Sequence, residues 1–158
     1  MNSRDYPHLT ASVLVADQNN ILMVNEIDNG ISVWNQPAGH VEVGEDIQTA
    51  AIRETLEESR YQVQLTHLLG IYQNVHAASG IHYLRACFIA EPVALVENAQ
   101  LDADILQAAW LPLDALLAGD YPLRSPIVRH CLLDFQAGRR FALDCIHPLL
   151  SSSEPSLS

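Results

Sequence analysis

The run of residues 39–61 constrains this chain most strongly, because it brings three glutamates together within about one turn of a helix. Glu57 and Glu58 follow Glu54 by three and four residues, so a helical conformation places all three carboxylates on one face. Like charges at these spacings repel, and the C-terminal end of a helix disfavours negative charge. Arg53, four residues before Glu57, adds one positive charge, and one arginine does not offset three carboxylates. The cluster therefore indicates a cation site.

The chemistry of the cluster favours a hard divalent ion. Ligand sets made only of oxygen suit Mg²⁺ or Mn²⁺ better than zinc. The alternative is an acidic helix face in contact with water, which is the usual meaning of a charge run. The helical positions argue against that alternative, because the glutamates share their side of the helix with apolar residues, namely Ile47, Ala50 and Ala51.

A longer pattern surrounds the three glutamates. Gly39 is followed after five residues by Glu45, after seven more by Arg53 and Glu54, and after two more by Glu57 and Glu58. This spacing resembles the signature of the Nudix hydrolases, Gly-x5-Glu-x7-Arg-Glu-U-x-Glu-Glu-x-Gly-U, where U is a bulky apolar residue. Thr55 replaces one U, Arg60 replaces the second glycine, and Tyr61 fills the last U. Neither departure removes an expected metal ligand.

The resemblance extends to the NudJ-type phosphatase subgroup of that family, through residues 34–40, 83–85, 123–126 and 136–140. It implies an α/β (α+β) class and the Nudix-type α/β/α sandwich, with a mixed sheet between helices. With 158 residues, the chain predicts one Nudix domain at 1–150. The serine-rich segment 151–158 predicts a disordered C-terminal tail.

The resemblance also implies an activity, a Mg²⁺-dependent hydrolysis of phosphoanhydride bonds, with Mn²⁺ as the alternative ion. The subgroup is associated with nucleoside tri- and diphosphates, with hydroxymethylpyrimidine diphosphate, and with the release of orthophosphate. Two alternatives stay open. One is a nucleotide-sugar or dinucleotide pyrophosphatase, and the other is a Nudix domain that senses nucleotides without turnover.

The residues of the signature take roles from this resemblance. The predicted metal ligands are the side chains of Glu54, Glu57 and Glu58 and a main-chain carbonyl of Ala38 or Gly39. The predicted catalytic residues are Glu54, Arg53 and Glu57. We expect Glu54 to accept the proton of an attacking water, although families differ on which carboxylate does so. We expect Arg53 to orient Glu45 or Glu57 and not to take part in the chemistry.

Candidate substrate-binding residues lie outside the signature helix. Arg85 sits in an apolar strand, and a buried arginine needs a partner. That partner is either a structural carboxylate or a substrate phosphate held by two hydrogen bonds. Asn35 and Gln36 precede the signature glycine and are further candidates. Family members often supply one more carboxylate from a distant loop, for which Asp102 and Asp104 are the best candidates here, against an ordinary solvated loop.

Composition limits the kinds of partner that the protein is expected to bind. The net charge of −11 argues against binding a nucleic-acid backbone or an anionic membrane, and favours a small nucleotide or pyrimidine diphosphate as substrate. Three cysteines without a Cys-x-x-Cys pair predict buried thiols in a reducing compartment, hence a cytoplasmic location. Residues 1–7 contain no apolar run, which predicts no signal peptide or membrane span. The sequence leaves open whether the protein is a monomer or a homodimer.

Apolar runs predict strands at residues 9–16, 21–24, 31–34, 62–75, 81–90 and 108–111, and helices at 113–117 and 126–137. Asp46 is the expected N-cap of the signature helix. If Arg60 keeps the left-handed turn that a glycine favours, the strain costs about 1 kcal/mol. Otherwise the helix runs on by one residue.

Overall fold

The computed structural model describes residue 2 and residues 4–149, so the tail predicted at 151–158 lies outside the described residues. The strands within that part are β1 (His8–Asp17), β2 (Asn20–Asp28), β3 (Ile31–Asn35), β4 (Ala38–His40), β5 (Tyr61–Val75), β6 (His82–Leu95) and β7 (Ile105–Pro112). The helices are α1 (Ile47–Ser59), α2 (Leu113–Ala118) and α3 (Pro126–Gln136), followed by a 3₁₀ turn at Leu143–Cys145.

β1 lies at the centre of a mixed sheet with the order β3-β2-β1-β6-β5. It runs parallel to β6 and antiparallel to β2 and β4, while β7 pairs antiparallel with β2. The short β4 pairs with residues 10–12 of β1, on the edge opposite β6, and so holds the signature glycine against the middle of the sheet. The predicted mixed sheet is confirmed.

Side chains alternate between the two faces of the sheet, and each face is covered by helices. Val13 of β1 packs in a core cluster with Ala50 of α1. The neighbouring Leu14 packs on the other face with Leu116 of α2 and Leu132 of α3. The predicted α/β/α sandwich is therefore confirmed, and α1 covers one face of the sheet together with Leu143 and Ile146.

The two ends of α1 are fixed by specific contacts. Asp46 is the N-cap, as predicted, and its carboxylate accepts a hydrogen bond from the Gln48 amide at 2.9 Å. At the other end, Arg60 adopts the left-handed conformation, with φ 66°, and its N–H donates to the Leu56 carbonyl at 2.8 Å. The helix therefore stops where the family's glycine would stop it, and the alternative of one further helical residue is wrong.

Several strands run further than the sequence indicated. β2 continues to Asp28 and β6 to Leu95, and β7 begins at Ile105. The added residues are mostly polar in β2, include Pro92 in β6 and begin with Ile105 and Leu106 in β7, and all three extensions bond to neighbouring strands, which a local pattern does not reveal. The pairing of β5 with β6 shifts register between Leu68 and Gly70.

Two further predictions concern the surface. Cys87 and Cys131 are buried thiols, but the prediction is wrong for Cys145, which is exposed because it lies in the 3₁₀ turn outside the core. In the part of the chain that the structure describes, no helix has the length and apolar character needed to cross a bilayer.

Candidate functional site

Gly39 and Glu54 approach each other so closely that only glycine fits. β4 places Gly39 opposite Ala11 of β1, directly beneath α1. A Cβ atom built on Gly39 would lie 2.1 Å from the Glu54 carboxyl carbon and 2.3 Å from both of its oxygens. The first glycine of the signature therefore leaves room for the carboxylate of Glu54 against the backbone.

Arg53 is the hub of the signature carboxylates. Its Nε and Nη2 donate to the two oxygens of Glu45 at 2.7 and 2.9 Å. Its Nη1 donates to Glu54 Oε1 at 2.8 Å and to Glu57 Oε2 at 3.2 Å. Glu45 also accepts the amide of Glu42 at 3.0 Å, and the bond from Arg53 lowers the pKa of Glu45. One guanidinium thus fixes the orientation of three carboxylates.

A third carboxylate joins Glu54 and Glu57 from a distant loop. Oxygens of Glu54, Glu57 and Asp102 all lie within 4.8 Å of one another. Asp102 reaches them because its amide donates to the Glu57 carbonyl at 3.0 Å, one of the carbonyls left free at the end of a helix. Burial raises the pKa of Glu54, Arg53 opposes the rise, and repulsion from Glu57 and Asp102 adds to it. This all-oxygen set fits a hard divalent cation.

Glu58 is placed differently from the other two glutamates of the signature. Its carboxylate is 8% exposed and accepts the amide of Ala38 at 3.1 Å. Burial raises the pKa of Glu58 to about 9, and repulsion from Glu26 and Glu54 acts in the same direction. A cation beside Glu58 would offset this cost, so the observed burial suits a ligand role but leaves that role a prediction.

Glu54, Glu58 and Asp102 face a cavity of about 620 Å³, which we call the acidic basin, whereas Glu57 is not part of its lining. Its acidic lining residues are Glu26, Glu42, Glu54, Glu58, Asp102 and Asp104. Ala38, Gly39, His40 and Arg124 also line it. Asp104 thus faces the same space as Asp102 but is not part of the three-carboxylate cluster.

Glu26 is a site residue that the sequence reasoning missed. Its carboxylate is 13% exposed, pairs with Arg124 at 2.8 Å and accepts Asn35 Nδ2 at 3.2 Å. The available signal was an acidic residue within an apolar run, which needs a partner when it is buried. The predicted strand ended at residue 24 and did not include Glu26.

A second cavity, of about 120 Å³, adjoins the acidic basin, and we call it the Arg85 cavity. Its lining is Thr10, Asn35, Ala38, Gly39, His40, Asn74, His76, Tyr83, Arg85, Arg124, Ser125 and Ile127. Ala38, Gly39, His40 and Arg124 belong to both linings, so the two cavities are neighbours.

Arg85 does not pair with a structural carboxylate among the described residues. Its Nε and Nη1 are enclosed and have no hydrogen-bond partner within that part of the chain. Burial lowers the pKa of Arg85. The first of the two alternatives raised by the sequence is thereby excluded for the described residues, and the second stays a prediction.

The other two predicted substrate-binding residues near the signature glycine, Asn35 and Gln36, differ in whether they line a cavity. Asn35 lines the Arg85 cavity, and its Oδ1 is enclosed without a partner among the described residues. Gln36 is fully buried, and its Nε2 lies 3.5 Å from Cys87 Sγ. Gln36 is therefore packed inside the protein and belongs to the lining of neither cavity.

His40 stands at the boundary of the two cavities. Its Nε2 lies 2.9 Å from Nδ1 of His8, and its carbonyl accepts Arg53 Nη2 at 3.2 Å. Burial lowers the pKa of His40, and His8 adds to the effect. The pairing with His8 was not predictable from sequence, because it depends on the contact of β4 with β1.

Comparisons with known proteins agree with this geometry. The family model for the NUDIX domain matches residues 6–131. The phosphatase NudJ of Escherichia coli K12 is 34% identical over 140 residues, which cover 89% of this chain and 90% of the relative. A NUDIX hydrolase structure from Nitrosomonas europaea is 36% identical, covers 90% of this chain and 97% of its own, and has a TM-score of 0.85. A MutT NUDIX hydrolase from Burkholderia pseudomallei, 22% identical, matches 82% of this chain and 98% of its own with a TM-score of 0.67, which shows the fold alone. On these matches, the chain belongs to the Nudix hydrolase family.

Proposed function

We propose that this Nudix hydrolase cleaves phosphoanhydride bonds in nucleoside tri- and diphosphates in a Mg²⁺-dependent reaction that releases orthophosphate. The observation that carries the proposal is the convergence of Glu54, Glu57 and Asp102 oxygens within 4.8 Å, where Arg53 contacts the two glutamates but not Asp102. Such a cluster is costly unless a cation joins it. A phosphate ester is also anionic, so a cation would bridge two negative parties.

The proposed ligands of the ion are all oxygen atoms. Glu54, Glu57, Asp102 and the buried Glu58 would hold the ion, with a main-chain carbonyl of Ala38 or Gly39 beside them. When bound, Mg²⁺ or Mn²⁺ supplies positive charge for the phosphate oxygens and makes nearby water more acidic.

Glu54 is the proposed general base. Arg53 donates to Oε1 of Glu54 at 2.8 Å. This ion pair leaves Oε2 of Glu54 available to accept a proton from the attacking water. Arg53 is a positioning residue, because it contacts Glu45, Glu54 and Glu57.

The proposal also concerns the identity of the substrate. The similarity to a phosphatase named NudJ favours small phosphate esters, and hydroxymethylpyrimidine diphosphate is a further candidate beside the nucleotides. Asn35, Arg85 and Asp104 line the adjoining cavities and are proposed to contact the substrate. The cytoplasmic location and the choice between monomer and homodimer stay predictions.

The test is a substrate panel with Mg²⁺ and product analysis. The panel contains nucleoside di- and triphosphates, hydroxymethylpyrimidine diphosphate, ADP-ribose and a nucleotide sugar. The proposal expects orthophosphate from the first two classes, a loss of turnover in Glu57→Gln, and no loss in Glu97→Gln, an exposed acidic control. Cleavage of ADP-ribose or the nucleotide sugar alone would establish the pyrophosphatase, and binding without any product would establish the sensing domain.

A further inference from the structure

The Arg85 cavity has the opposite charge to the basin beside it. Its lining contains two arginines and two histidines and no aspartate or glutamate. The whole chain holds only 8 basic residues against 19 acidic ones, so this concentration of positive groups is unexpected by composition. An acidic cavity and a basic cavity that share a wall suit a ligand with two adjacent parts. One part would be bound through a cation, and the other would be bound directly by basic side chains.

The sheet register explains how Arg85 comes to stand in that cavity. Arg85 of β6 lies between Thr10 of β1 and Tyr72 of β5. The hydroxyl of Tyr72 donates to Asp134 at 2.7 Å, and it is not a hydrogen-bond partner of Arg85 Nε or Nη1. Thr10 Oγ1 is enclosed and without a partner among the described residues, as are Arg85 Nε and Nη1. Enclosed donors without acceptors are costly, and an acceptor-rich ligand would satisfy them.

The N-terminal end of α3 faces the same cavity. Ser125 is its N-cap and Ile127 its second residue, and both line the cavity. The side chain of Ser125 makes no capping hydrogen bond, so the amides of the first turn lack that acceptor. The positive end of the helix dipole therefore adds to the two guanidinium groups.

We propose that the Arg85 cavity binds a phosphate group of the substrate that the carboxylate-held cation does not bind. This rests on the proposed function, in which a phosphoanhydride occupies the acidic basin. The common wall of Ala38, Gly39 and His40 makes the two cavities neighbours, so consecutive phosphates reach both. Two adjacent N–H groups of Arg85 match two phosphate oxygens. The enclosed Oδ1 of Asn35 accepts the P–OH of a monoprotonated phosphate.

The size of the cavity agrees with such a group. A volume of about 120 Å³ accommodates roughly eight water-sized groups, enough for one phosphate with a few waters. The competing occupant is an uncharged heterocycle, whose ring acceptors would also meet Arg85. The absence of any acidic residue from this lining, the unpaired N–H groups of Arg85 and the N-terminal end of α3 favour the anion, whereas the charge of Arg124 is already paired with Glu26.

The experiment measures phosphate binding without metal, so that it does not depend on turnover. Orthophosphate is titrated in EDTA and a phosphate-free buffer, and the melting temperature Tm is followed. We expect Tm to rise with orthophosphate, the apparent Kd to increase at least tenfold in Arg85→Met, and Arg85→Lys to fall between. Arg139→Met removes an exposed arginine outside both linings and should match the parent.

Two results would overturn the proposal: no orthophosphate-dependent rise in the parent protein, or an equal rise in Arg85→Met. An uncharged nucleoside that raises Tm only while Arg85 is present would assign the cavity to a heterocycle instead. If Arg85→Met does not fold, the parent titration and Arg85→Lys decide. Phosphate binding without any turnover of the substrate panel would refute the proposed function and leave this subsite intact. Turnover without phosphate binding would support the proposed function and refute this subsite.

Discussion

The substitution Gly39→Ala separates the chemistry of the site from the stability of the fold. The added Cβ would lie 2.3 Å from the nearest oxygens of Glu54, and ordinary contact begins at 3.4 Å. The carboxyl carbon would lie even closer, at 2.1 Å, so the carboxylate must retreat by about 1.3 Å or leave altogether. The φ angle of Gly39 is outside the left-handed region, so alanine adds no backbone strain there.

The expected magnitudes follow from that displacement. Loss of the 2.8 Å contact between Arg53 and Glu54 costs about 1.5–3 kcal/mol, and a less flexible unfolded chain returns about 0.4–1 kcal/mol. The free energy of unfolding should fall by about 1–2 kcal/mol. A displacement of about 1 Å in a catalytic group lowers the rate roughly 100-fold. The rate loss corresponds to about 2.7 kcal/mol, at or above the expected loss of stability, so the variant should stay folded while its turnover falls.

The assay is a double-mutant cycle with Glu54→Ala. Turnover with Mg²⁺ and urea denaturation are measured for the parent, both single variants and the double variant. If Gly39 acts by giving room to Glu54, the alanine at position 39 has almost no further effect on turnover once Glu54 is removed. Additive losses in the cycle, or full activity of Gly39→Ala, would refute the reasoning.

Three further predictions concern the same site. Glu58→Gln can still accept the Ala38 amide, so the free energy of unfolding should change by less than about 1 kcal/mol, while Mn²⁺ affinity and turnover are lost; full turnover would refute the ligand assignment. Asp102→Asn should weaken Mn²⁺ binding at least about tenfold, as measured by calorimetry. Asp104→Asn should not weaken it, because Asp104 lines the same basin but lies outside the cluster. Equal effects of the two substitutions would argue against the cluster. Arg60→Gly should raise the free energy of unfolding by about 0.5–1 kcal/mol in urea, because glycine relieves the left-handed strain at φ 66°, and unchanged stability would show that the turn is unstrained.

The local part of the site was predictable from the sequence. Glu54, Glu57 and Arg53 are separated by one to four residues, so helix geometry alone determines which of them meet. The N-cap role of Asp46 is equally local and is confirmed. The sandwich and its mixed sheet followed from the family resemblance, and both are confirmed.

The tertiary part was not predictable in the same way. Asp102 and Asp104 look alike in sequence, and only the hydrogen bond from the Asp102 amide to the end of α1 brings one of them into the cluster. The environment of Arg85 depends on three strands that are distant in the chain. Glu26 was missed because its partner, Arg124, lies 98 residues away.

The most direct test of the central claim is the position of a divalent ion in the folded protein. Crystals grown with Mn²⁺ would be measured for anomalous scattering, with Glu57→Gln as the matched variant. We predict a peak among the carboxylates of Glu54, Glu57 and Asp102 in the parent, and its loss or marked weakening in the variant. A peak elsewhere, or an active enzyme without a peak at these carboxylates at saturating Mn²⁺, would contradict the account.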